Sequence, residues 1–129
     1  MTIGYATTLR NARQDAISSA ASSNALVAIY AGTRPATGGA STVILAMFTM
    51  SSSFAPPATS GVLLPNLPAA TTGVFASTAT WGRLMTSSGV FVADMSVSTA
   101  AADIVLNTNV ITVGVAVTMT SARITEGNA

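Results

Sequence analysis

The spacing of apolar residues changes at Asn24, and that change limits the chain to one short helix followed by strands. Residues 7 to 24, TTLRNARQDAISSAASSN, place Leu9, Ala12, Ala16, Ile17 and Ala20 at three- and four-residue intervals, with Arg10, Asn11, Gln14, Asp15 and Ser18 elsewhere. That is the pattern of one amphipathic helix. Thr7 or Thr8 suits its N-terminal cap, and Asn24 suits a left-handed residue past its end. Its apolar face is mostly alanine, so it needs a larger surface to lean on. Two surfaces are open to it: the sheet of its own domain, or a neighbouring subunit.

Beyond Asn24 the period is two. ALVAIYA (25 to 31) and TVILAMFTM (42 to 50) read as strands joined by a loop in which Pro35 and the Gly38-Gly39 pair break regular structure. Residues 51 to 73 hold four of the five prolines, which confines them to edges and connections, with a short strand at GVLL. The clearest hairpin spans 79 to 97, where alternating arms flank TSSG (86 to 89). On its second arm Phe91, Ala93, Met95 and Val97 share a face; Phe91, Met95 and Val97 are expected to point inward. ADIVLN (102 to 107) and VITVGVAVTMTSARIT (110 to 125) continue the pattern, with Gly114 marking a bend and a polar EGNA end. The expectation is a mainly β fold: an antiparallel β-sandwich of about seven to eight strands (25 to 129) with an N-terminal helical arm (1 to 24).

What chemistry could such a chain carry? It contains no cysteine, histidine or lysine. Thiolate and imidazole metal sites, disulfides and histidine-based triads are excluded at once, and the many serines have no side-chain base to activate them. Asp94 and Asp103 are the only acids near each other in the strand region, and each reads as an ordinary turn or edge acid rather than a catalytic pair. The loop IYAGTRPATGG (29 to 39) is not a phosphate cradle: it has no lysine, Thr37 stands where a second glycine is required, and a β-rich run follows it. No enzymatic activity, cofactor or metal is expected.

Charge narrows the partners. Arg10, Arg13, Arg34, Arg83 and Arg123 against Asp15, Asp94, Asp103 and Glu126 give a net charge of +1, too little for a nucleic-acid surface. Mean hydropathy is +0.59, yet the longest run of large apolar residues, VILAMF (43 to 48), is strand-sized, so no membrane span is expected. The start MTIGYATTLR has neither a basic region nor an apolar stretch of signal-peptide type. Charged residues make up 7% of the chain against ~25% in ordinary domains, and a surface so neutral invites association. Candidate contact residues are Arg34, Pro35, Gly38 and Gly39 on the loop, and Arg10 and Arg13 on the helix. A guanidinium on a glycine-flanked loop can grip a partner carboxylate, and glycines let backbone come close. Trp81 with Arg83 also allows a sugar-stacking platform, although a lone strand tryptophan more often belongs to the core. Met47, Met85, Met95 and Met119 are expected to fill core gaps.

Four segments carry a resemblance: LRNARQDAI (9 to 17), ALVAIYAGTRPATGG (25 to 39), TATWGRL (78 to 84) and RITEGN (123 to 128). Together they resemble small virion structural proteins of tailed bacteriophages, over nearly the whole chain and through structural motifs rather than chemistry. The resemblance implies a protein made in the host cytoplasm and carried on the virion. Its most specific form is a capsid decoration (cement) protein on the outer head shell, whose partners are the major capsid protein and like copies, often as trimers. A tail or head-fibre component, and a carbohydrate-binding β-sandwich module, are the alternatives.

Overall fold

The computed structural model describes residues 4 to 36 and 38 to 125; Thr37 and the polar EGNA end fall outside them. One helix, α1 (Thr7–Ala21), precedes twelve strands among the described residues. They are β1 (Leu26–Tyr30), β2 (Ile44–Thr49), β3 (Val62–Leu63), β4 (Thr71–Thr72), β5 (Ser77–Thr78), β6 (Trp81–Met85) and β7 (Phe91–Ser98). Then follow β8 (Ile104–Leu106), β9 (Val110–Ile111), β10 (Ala116–Val117), β11 (Met119–Ala122) and β12 (Ile124–Thr125).

The chain is mainly β with one N-terminal helix, as expected, but the architecture departs from a sandwich. Six strands form one curled, mixed half-barrel in the order β11-β8-β7-β6-β1-β2, and the other pairs, β10-β4, β12-β3 and β5-β9, are two-stranded ribbons. Pro65 and Pro68 lie between β3 and β4, and strands of two residues are too short to build a second sheet. The expected long strand over 110 to 125 breaks into four pieces, the first two parted at Gly114, whose φ of 79° takes the left-handed turn a side chain would resist.

The sheet is also not purely antiparallel, since β7 and β8 pair in parallel through Val97↔Ile104 and Ser98↔Val105. Parallel neighbours ordinarily need a crossover of about a dozen residues. Here only residues 99 to 103 intervene. The tight return is fastened by polar groups: Asp103 Oδ2 accepts from the Ser96 amide at 3.0 Å and from its hydroxyl at 3.1 Å, while the Asp103 amide donates to Ser96 Oγ at 3.0 Å.

The β6-β7 hairpin forms where the alternation placed it, closed by Thr86 to Gly89. Its facing is corrected at one residue. Ala93 pairs with Leu84 and Phe91 with Met85, so Val92 is an extra residue, a β-bulge that reverses the alternation beyond it. Met95 and Val97 point into the core as expected, but Phe91 turns to the outer face and is 38% exposed. A matching irregularity on β2, between the pairs Ile29↔Ala46 and Tyr30↔Ile44, places Leu45 in the core beside Ala46. The inner face therefore gathers Val27, Ile29, Phe48, Leu84, Met95 and Ile104 into one buried cluster. Met119 joins it, whereas Met47 and Met85 pack, partly buried, on the opposite side.

The helix is turned the other way round from its hydrophobic pattern. Gln14 and Ala21 are its buried residues, Arg10, Asn11, Asp15, Ile17 and Ser18 are half-buried, and Leu9, Ala12, Ala16 and Ala20 face solvent. The reason lies in the proline-interrupted segment beneath. Asp15 Oδ1 accepts from the Ala58 amide and Asn11 Oδ1 from the Gly61 amide, each at 2.7 Å. Buried backbone donors without a ladder partner need acceptors, and that need outweighs the small gain from burying alanine methyls. Ile17 and Ala21 still reach the core, so the helix is stitched to the same unit as the strands. Its N-cap is Ala6, without a side-chain cap from Thr7 or Thr8, while Asn24 is left-handed (φ 54°) as its position suggested.

Candidate functional site

The outer face of the main sheet is built around Arg83. Strand pairing aligns Tyr30 with Trp81 in one row and Ala28 with Arg83 and Asp94 in the next row on the same face, so these side chains stand side by side across three strands. The Tyr30 and Trp81 rings stack at 4.4 Å. Arg83, 8% exposed, holds Asp94 in a forked ion pair, Nε to Oδ1 at 2.8 Å and Nη2 to Oδ2 at 3.0 Å. Its guanidinium lies 5.3 Å from the Trp81 ring and 5.0 Å from the Phe91 ring. The hydrogen bond to Asp94 raises the Arg83 pKa above its ordinary value, against the lowering effect of burial. Arg83 is thus a permanent cation, and Asp94 has both oxygens committed to it.

The β1-β2 loop, residues 31 to 43 apart from Thr37, folds down over these two rows instead of projecting from the domain. Arg83 Nη2 donates to the Gly39 carbonyl at 2.8 Å, Trp81 Nε1 to Ala31 O at 3.2 Å, and Thr80 Oγ1 to Gly32 O at 2.6 Å. Gly38, at φ 70°, sits against the Phe91 ring, where an added Cβ would approach to 3.2 Å. A Cβ on Gly39 would lie 2.9 Å from that of Pro35. Both glycines serve the packing of the loop onto its own sheet.

Arg34 remains exposed, and with Pro35, Ala36, Phe91 and Asp94 it borders a groove of about 420 Å³. The structure therefore unites Arg34, Pro35, Gly38 and Gly39 on one pinned loop. Arg10 and Arg13 belong to the helix: Arg10 packs its guanidinium over Gly61, and Arg13 lies over the Tyr5 ring at 4.6 Å. Trp81 is 1% exposed beneath the loop and offers no face to a sugar. Asp94 and Asp103 are engaged separately, by Arg83 and by Ser96. Among the described residues no cluster of three acids, histidines or cysteines comes together, and no helix is long and apolar enough to cross a membrane.

Sequence reasoning missed the role of Arg83 as loop anchor. The bulge hid it: only with Val92 as an extra residue does the register put Arg83 opposite Asp94, a cross-strand charge pair. Also missed was an apolar end at the Tyr30 terminus of β1. There Val43 and Phe75 border a hollow of about 280 Å³ with Ala31, Thr42 and Leu45. Val74 donates its amide to Leu45 O, and Gly73 bridges to Val113 and bonds Val115 O, which brings the exposed Val74, Val113 and Val115 beside it. The clue in the sequence was the absence of any charge from Pro35 to Gly82 and from Ile104 to Ala122.

No protein-family model, no curated protein and no solved structure matches this chain.

Proposed function

We infer that the chain is a non-enzymatic structural protein of a phage virion, a capsid decoration protein that binds the outer surface of the head shell and stabilises it. One observation carries this reading beyond the sequence resemblance. Among the described residues eleven large hydrophobic side chains are exposed, from Leu9 to Val115, in a chain with only nine charged residues. Surfaces of that kind are suited to being covered. On a shell, many copies act together, so each contact need only be modest. The loop of Arg34 and Pro35 supplies the head-shell contact: it is fixed by Arg83, so little order is lost when it docks, and Arg34 is free to meet a carboxylate.

The test is to mix wild-type and Arg34→Ala protein with undecorated capsids, measure occupancy, and heat the particles. Wild type is expected to bind in hundreds of copies and to raise the temperature of shell disruption, with Arg34→Ala binding more weakly while melting as wild type does. Equal occupancy removes Arg34 from the interface. Capsids that neither bind wild type nor gain heat resistance end the decoration reading, and a handful of copies per particle transfers the protein to the tail or head fibre.

A further inference from the structure

The main sheet has a vacant lane beside β7. β8 runs along β7 only at Val97 and Ser98, and Asp103, just before β8, takes the Ser96 amide. Among the described residues no strand lies beside residues 91 to 95 on the side away from β6. That leaves about 14 Å of edge. Backbone groups along a strand point alternately toward its two neighbours. Val97 donates to Thr80 O on the β6 side and Ser96 donates the other way, to Asp103, so Asp94 turns its amide and carbonyl toward the vacant lane. Accessibility agrees. The Asp94 side chain is 7% exposed, yet the residue as a whole is only half-buried, so what solvent reaches there is mainly backbone. Arg83 opposite it, with a strand on each side, is buried as a whole residue.

The groove of about 420 Å³ follows this edge, with residues 91 to 94 as one wall and Arg34, Pro35 and Ala36 of the loop as the other. Side chains of a strand alternate between its faces, so a groove touching four in succession runs along the backbone. The two charges at the groove differ in state. Both Asp94 oxygens are held by Arg83, whereas Arg34 is exposed and forms no hydrogen bond or ion pair among the described residues. An open amide and carbonyl on a strand edge call for another backbone, and an unpaired guanidinium at the rim calls for a carboxylate. A free anion would leave the edge bare, and a helix has no backbone groups to spare for it. An extended acidic peptide answers both.

We propose that the β7 edge at residues 91 to 95 takes up an extended segment of the head-shell protein as an added strand, with an Asp or Glu of that segment paired to Arg34. Main-chain bonds at the edge supply the affinity and the acid supplies the selectivity. The return at 99 to 103 closes one end of the lane, and Arg83 holds the loop that carries Arg34. The source of the segment rests on the decoration reading; the chemistry of the groove does not.

The experiment pans a random eight-residue peptide library on the immobilised full chain, then titrates the leading peptide into the chain while amide exchange is followed at Asp94. Enriched peptides are expected to carry Asp or Glu within a proline-free, β-favouring run, and saturating peptide to slow Asp94 exchange at least about 10-fold. Replacing the acid by its amide, or Arg34 by alanine, is expected to weaken binding about 5-fold, and both together no further, as for one exposed ion pair. Of two versions N-methylated at odd or at even positions, one is expected to bind like the parent and the other not at all, because only alternate amides of an added strand face β7. No enrichment, enriched peptides without an acid, a bound peptide that leaves Asp94 exchanging freely, or N-methylated versions that behave alike each overturns the proposal. Wild-type chains that associate until the peptide separates them put a second copy in the groove and overturn the choice of a foreign segment. Capsids test the source separately. A peptide that binds as described but fails to displace the chain from capsids overturns the head-shell segment, while capsids that never bind wild type end the decoration reading and leave the peptide groove standing.

Discussion

On the inner face of the main sheet Val27, Ile29, Phe48, Leu84, Met95 and Val97 meet other apolar side chains, whereas on the outer face an arginine-aspartate pair lies between aromatic rings under a loop. The inner face depends on area removed from water, which is non-directional and forgiving of detail. The outer face depends on a few directional bonds, each of which fixes a position and leaves a charge or carbonyl stranded if its partner is lost. The same strands thus carry a tolerant core on one side and an exacting loop mount on the other.

Five variants sharpen or break that contrast, each read as a shift in denaturant midpoint and one of them also by amide exchange. Phe48→Ala, at a fully buried inner position, is expected to cost about 4 kcal/mol, and a loss below ~2 would mean the site collapses around the cavity. On the outer face Asp94→Ala strands the buried Arg83 and is expected to cost about 3 kcal/mol. Adding Arg83→Met to an Asp94→Leu change should recover most of that stability while freeing the Gly39 carbonyl, seen as faster amide exchange and proteolysis at 32 to 40. If the double variant keeps the loop protected, Arg83 is not its anchor. Asp15→Ala, which removes the acceptor for the Ala58 amide, is expected to cost about 2 kcal/mol through a charge-assisted bond. Phe91→Ala is the smallest, about 1 kcal/mol from partial burial and its place over Arg83. A loss near that of Phe48→Ala would return Phe91 to the core.

The inner face was largely legible in the sequence, because the period-two runs at 25 to 31, 42 to 50 and 79 to 97 contain its central strands and most of its core residues. Phe91 was misplaced because a single extra residue, Val92, inverts the parity of every position before it, and no local signal marks a bulge without glycine. The helix was read inside out for a different reason. Its orientation is set by the amides of Ala58 and Gly61, more than forty residues away, and hydrophobic periodicity carries no information about them. That Arg34, Pro35, Gly38 and Gly39 share a loop was legible, since glycine and proline advertise one. Their anchor was not, because the Gly39 carbonyl meets Arg83 only after three strands have paired.

The central position of β1 has a consequence for how the chain acquires this shape. β1 lies between β2, its neighbour along the chain, and β6, which is synthesised some fifty residues later. A β1-β2 hairpin emerging from the ribosome therefore presents one unpaired edge, with Val27 and Ile29 on its apolar side, until the β6-β7 hairpin arrives to close it. Joining two preformed hairpins across so long an intervening segment is a late, slow step, and the waiting edge is the point at which nascent copies can pair wrongly with one another. Pulse-labelled amide exchange during refolding should find the β6-β7 amides protected before those of β1 that face β6.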